Sequence, residues 1–123
     1  MFIQQPFDEF LGFQYERTET GEVTVTLPVK PLHVNSAGVV HGGIISTLAD
    51  VALSNTMKPD MNGKQTSVTL DLNVTFLKGA KSDQLIAYAE IIKAGKTLTH
   101  AECRITDAAG VLVAKAKGIF FNT

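Results

Sequence analysis

Apolar positions recur along this chain with two different periods. Between Asn35 and Met57 the period is helical: Ile45, Leu48, Ala49 and Ala52 share one face, with Ile44 and Leu53 flanking it. Ser46, Asp50 and Ser54, each four residues apart, line the opposite side, and Lys58-Pro59 supplies a cation and a stop for the helix end. Almost everywhere else the period is two. Phe13, Tyr15 and Arg17 alternate with Gln14, Glu16 and Thr18, and Val23, Val25, Leu27 and Val29 with Glu22, Thr24 and Thr26, across a Thr20-Gly21 turn. Pro28 should end pairing there or mark an edge. Val68, Leu70, Leu72, Val74 and Phe76 alternate with Ser67, Thr69, Asp71, Asn73 and Thr75, which predicts one buried face along the whole strand. Further strands follow over 84–93, 97–106 with Ala101, Cys103 and Ile105 inward, and 111–121 with Leu112, Ala114, Ala116 and Phe120 inward. A short helix over 6–11, with Pro6 near its start and acids in its first turn, precedes them all. The order is short helix, two strands, long helix, four strands. The fold class is α+β, an antiparallel sheet wrapped around one central helix, because that buries the helix's apolar face with the least chain.

A chain of 123 residues suits one domain, with no linker or repeat to divide it. The net charge of -1 gives no footprint for nucleic acid or a membrane surface. No apolar run nears the roughly 20 residues of a membrane span, and the acidic start is unlike a signal peptide. The single cysteine, Cys103, excludes an internal disulfide and fits a reducing compartment, so a cytoplasmic location is expected.

The chemistry concentrates where glycine-rich loop becomes helix. A helix N-terminus presents free N–H groups and a positive dipole end. Gly42 and Gly43 let a carbonyl approach that backbone closely, as an oxyanion hole requires. Asp50 is placed to activate water or to attack directly. Gly42 and Asp50 lie eight residues apart, about 12 Å along a helix, yet both must reach one carbon within about 3–3.5 Å. One chain cannot supply both; two antiparallel copies of the helix can, giving two equivalent sites per dimer.

Asn35-x-x-Gly38-x-x-His41-Gly42-Gly43 followed by Leu48-Ala49-Asp50 resembles the signature of hotdog-fold acyl-CoA thioesterases, nearest the phenylacetic-acid-degradation (PaaI-like) type. Thr69 to Leu77 and Gly95-Lys96-Thr97 are similar to later family segments, and the resemblance covers residues 10–120. It implies hydrolysis of an acyl-CoA by a homodimer whose sheets join side by side, often paired again as a homotetramer. The acyl group would run into the dimer interface. By the family's roles, Asn35 binds the thioester carbonyl or places water, the Gly42 N–H polarises the carbonyl, Asp50 is base or nucleophile, and the Thr69 hydroxyl orients water. Thr69 falls on the face opposite Val68 and Leu70, so a twist or bulge must turn it toward the site; Ser67 is the alternative. His41, Gly43, Ser46, Ser54 and Lys96 are the candidate substrate contacts. No metal and no bound cofactor is implied, since coenzyme A belongs to the substrate and its thiolate leaves readily.

Other readings stand beside these. The ring of His41 is expected to hold the loop by hydrogen bonds; as an acid–base group with a carboxylate it would instead mark a dehydratase or hydratase. A non-catalytic acyl-CoA binder would keep the glycine cradle without turnover. His33, His41 and His100 lack metal-ligand spacing. Cys103 reads as packing. Lys78, Lys81, Lys93 and Lys96 gather near turns, either to meet coenzyme A phosphates or as a solvated face.

Overall fold

The computed structural model describes every residue, Met1–Thr123. The elements are α1 (Pro6–Leu11), β1 (Gln14–Arg17), β2 (Val23–Pro28), a 3-10 turn (Pro31–His33), α2 (Gly42–Ser54), β3 (Ser67–Phe76), β4 (Gln84–Ala94), β5 (Leu98–Asp107) and β6 (Leu112–Asn122). The six strands form one antiparallel sheet in the order β1-β2-β4-β5-β6-β3. The sheet curls around α2, which packs against β2, β3, β4, β5 and β6. This is the hotdog arrangement. Leu48, Leu53 and Ile45 of α2 meet Val23, Val25, Leu85, Ile105 and Phe120 from the sheet, all buried. Each such side chain stabilises the packing by about 1.5–3 kcal/mol. Cys103 is buried in this core, and burial pushes its thiol up to about 12, so packing is its role.

Three local expectations are corrected. First, α2 stops at Ser54, before Lys58-Pro59. The Asn55 N–H still bonds the Val51 carbonyl, but the Thr56 and Met57 N–H groups bond Leu53 and Ser54, three residues back, so the last turn tightens there, and the Asn55 side chain bonds the backbone of Ile3. Second, β3 does not keep one phase. Thr69 pairs with Phe120 and Asp71 with Ile119, leaving Leu70 as an extra residue, a β-bulge. Before the bulge Ser67 and Thr69 face α2; after it Leu72 and Val74 do. Val68 and Leu70 therefore lie 47% and 59% exposed instead of buried. Third, β6 bulges where Ile105 pairs with Ala114 and Thr106 with Leu112, so Val113 and not Leu112 is buried.

Candidate active site

The segment before α2 is fixed by a buried histidine. His33 Nδ1 accepts from the Lys30 N–H at 2.9 Å, so its Nε2–H is left to donate to the Leu11 carbonyl at 3.0 Å. This ties the end of α1 to the loop. The expectation that the His41 ring holds the loop is thus corrected: His33 does so, and the His41 ring is exposed without a hydrogen bond. His41 contributes its carbonyl, which accepts from Ile44 and Ile45 at 3.0 and 3.1 Å and opens the helix. Asn35 shapes the turn between Val34 and Val40, which pair as a bridge; its Oδ1 accepts from the Ala37 and Val39 N–H groups at 3.0 and 3.2 Å. Its Nδ2 has no partner in the chain and remains free to donate to a ligand.

Gly42 and Gly43 are the first two residues of α2, and their N–H groups have no acceptor in the chain. A Cβ on Gly43 would meet nothing within 4 Å, whereas one on Gly42 would stand 3.4 Å from Cζ of Phe76. A cavity of about 400 Å³ opens here, walled by Asn35, Val39, Gly42, Ile45, Phe76 and Lys78. It holds unsatisfied N–H donors and apolar walls, but no carboxylate.

The carboxylate is two helical turns away. The Thr69 hydroxyl donates to Asp50 Oδ1 at 2.8 Å. The Leu70 bulge makes this possible by keeping Ser67 and Thr69 on the helix side while the rest of β3 presents Leu72 and Val74 there. Ser67 is buried on the same side, and its Oγ has no hydrogen-bond partner. Asp50 lines a smaller cavity of about 160 Å³ with Ile3, Gln5, Asp8, Ser54, Asn55 and Gln65. Asn55 clasps the N-terminal segment across this end of the helix: its Oδ1 accepts from the Ile3 N–H at 2.7 Å, and its Nδ2 donates to the carbonyls of Val51 and Ile3 at 3.0 and 3.4 Å. Asp8, buried on α1, accepts from the Gln5 N–H at 3.1 Å. Burial holds its carboxyl above the usual value; the Gln5 bond opposes this, and the charges of Asp50 and Glu9 add to it.

The fold thus gathers Asp50, Thr69 and Ser54 at one end of α2, and Asn35 and Gly42 at the other. Gly43 is exposed beside Gly42, and Ser46 is half-buried one turn before Asp50. Lys96 sits in the turn between β4 and β5 and walls neither cavity. No three His, Cys, Asp or Glu side chains come together as a metal-binding group. Sequence reasoning missed Asp8 and Asn55. Asn55 carried one legible signal, an asparagine directly after the last helical residue. Asp8 carried none, because only the packing of α1 brings it to Asp50.

The family model of the thioesterase superfamily matches residues 37–114, a span holding Gly42, Asp50 and Thr69. Human acyl-coenzyme A thioesterase 13 is 30% identical over 99 residues, covering 79% of this chain and 70% of that protein. A Bacillus halodurans protein solved with CoA superposes with a TM-score of 0.86 at 32% identity, covering 98% of this chain and 80% of that one. The PaaI protein of the E. coli phenylacetic acid degradation operon has the same fold, with a TM-score of 0.84 at 23% identity over 98% and 86% of the two chains. With its hotdog fold and this match across most of its length, the chain belongs to the thioesterase superfamily and is a thioester hydrolase.

Proposed function

We propose that the chain hydrolyses acyl-CoA thioesters, aryl or short to medium in chain length, at two equivalent sites shared between the copies of a homodimer. The observation that carries this reading is the Asp50 carboxylate held by Thr69 at the mouth of a pocket, with the free N–H groups of α2 in a different cavity of the same chain. About 12 Å of helix separates the two functions. A second copy supplies what each half lacks. β3 is the sheet edge next to α2 and has no partner on its outer side. Joining two copies there in antiparallel fashion extends the sheet and lays the two helices antiparallel, Gly42 of one toward Asp50 of the other. Val68, Phe121 and Leu98 form an exposed apolar row on the outer sheet face, which supports a second pairing into a homotetramer.

In this site the thioester carbonyl accepts from the Gly42 N–H and the Asn35 amide. Asp50, steadied by Thr69, drives water or itself onto the carbon, and the thiolate leaves without needing a strong acid. Catalysis needs no metal or redox cofactor, because both charge developments are met by groups of the chain. The CoA bound to the Bacillus halodurans relative and the name of the human one support coenzyme A as the carrier.

The test is thiol release from a panel of aryl and aliphatic acyl-CoAs by wild type and Asp50→Ala. A fall of at least a hundredfold in a folded variant supports the reading; turnover that survives removes Asp50. Mixing tests the sharing. Proline is tolerated at the first helical position and lacks the N–H, so Gly42→Pro and Asp50→Ala each inactivate both sites of their own dimer. Random heterodimers of the two regain one intact site, about one quarter of wild-type activity for the mixture. No recovery after verified exchange would place the whole site in one chain.

A further inference from the structure

We propose that Asp8 makes the Asp50 pocket select against acyl groups that end in an anion, so that the enzyme takes thioesters whose acyl end is neutral. This rests on the acyl-CoA reading and adds a specificity residue to it. The two cavities differ in ways that assign the two ends of a substrate. The pantetheine arm and its charged nucleotide need the roomier path, and the cavity of about 400 Å³ at Gly42 has Lys78 on its wall. The cavity at Asp50 is about 160 Å³ and is walled by the N-terminal segment and α1 through Ile3, Gln5 and Asp8. It suits a short acyl end.

Its charge is one-sided. Asp8 and Asp50 both line it, and no Lys, Arg or His does. Of the neutral donors here, the Asn55 amide nitrogen donates to Val51 and Ile3 and that of Gln65 to the Ser67 carbonyl at 2.6 Å, which leaves the Gln5 amide and the Ser54 hydroxyl uncommitted. Asp8 is only 8% exposed, so water screens it poorly. One of its oxygens accepts from the Gln5 N–H; the other has no partner in the chain. An acyl carboxylate entering here meets two like charges and exchanges its hydration for at most two neutral donors and no cation. A methyl or ring end loses nothing, and a hydroxyl end finds an acceptor in Asp8.

The test compares hexanoyl-CoA with adipoyl-CoA, which have the same chain length and differ by a terminal carboxylate. The readout is the ratio of their kcat/KM values in wild type, Asp8→Asn and Glu9→Gln. Like-charge juxtaposition predicts that wild type prefers hexanoyl-CoA by at least about a hundredfold and that Asp8→Asn lowers this preference at least about tenfold. Glu9→Gln removes the same charge from an exposed neighbour outside the pocket and should leave the preference unchanged. Should Asp8→Asn not fold, Asp8→Ser keeps a side-chain acceptor for the Gln5 N–H and is compared instead. Equal use of the two thioesters by wild type overturns the proposal, as does a preference unmoved at position 8 or moved equally at position 9. If wild type hydrolyses neither, the hydrolase reading fails separately. The same pair is then compared by competitive binding, where equal affinity overturns the role of Asp8.

Discussion

Thr69→Val tests the bond that, in the proposed site, steadies Asp50. The substitution keeps the β-branched shape and replaces the hydroxyl that donates to Asp50 Oδ1 at 2.8 Å with a methyl group. A hydrogen bond to a charged group contributes about 1.5–3 kcal/mol. Thr69 is exposed and Asp50 half-buried in the single chain, so water replaces part of the loss and about 1–2 kcal/mol remains. That corresponds to a fall of about 5–30-fold in kcat. KM should change little, because in the proposed mechanism the bond steadies the attacking group and not the substrate. The strand itself is unaffected: Thr69 keeps its pairing with Phe120, and valine suits a β-strand. The assay is steady-state thiol release over a range of acyl-CoA concentrations, with thermal melting of the same samples. Thr69→Ser, which restores the hydroxyl, should recover most of the activity. A folded Thr69→Val with kcat within twofold of wild type, or with the whole effect in KM, would refute the role assigned to this bond.

Deleting Leu70 removes only the extra residue: Thr69 and Asp71 then follow one another as partners of Phe120 and Ile119, so Thr69 and Leu72 both still face α2, and thiol release should stay within about tenfold of wild type while circular dichroism keeps its strand signal. Asn55→Ala leaves the buried Ile3 N–H without an acceptor and should cost about 1–3 kcal/mol in urea unfolding, with faster proteolysis of the N-terminal segment. Burial raises the Asp8 carboxyl in the folded chain above 3.8, so the folded state binds this proton more tightly than the unfolded one. Its contribution is full below 3.8 and is lost as pH rises through the folded value. Asp8→Asn should therefore gain in urea midpoint relative to wild type between acid and neutral pH, and a constant difference across that range would contradict the assignment.

The order and type of the elements were legible in the sequence because each rests on a local cause. The helix over Gly42–Ser54 follows from apolar positions at helical spacing, and the ends of α1 follow from Pro6 and Gly12. The glycine-rich entry to α2 and Asp50 on its polar stripe were legible for the same reason: the spacing of eight residues fixes their separation whatever surrounds them. Tertiary structure decided the rest. Alternation along β3 is unbroken in the sequence, and nothing local says that Leu70 bulges; the pairing with β6 and the packing against α2 set the phase, and so bring Thr69 to Asp50. Two histidines near the helix entry are alike in sequence, yet only His33 lies where Lys30 and Leu11 can hold both ring nitrogens. Asp8 and Asn55 lie on different elements from the ends of the chain segment they enclose, and Ile3 meets Asn55 across 52 residues. Periodicity reports which face of an element is apolar. Which polar side chains end up facing each other depends on register and docking, and these are settled by contacts between residues far apart in the chain.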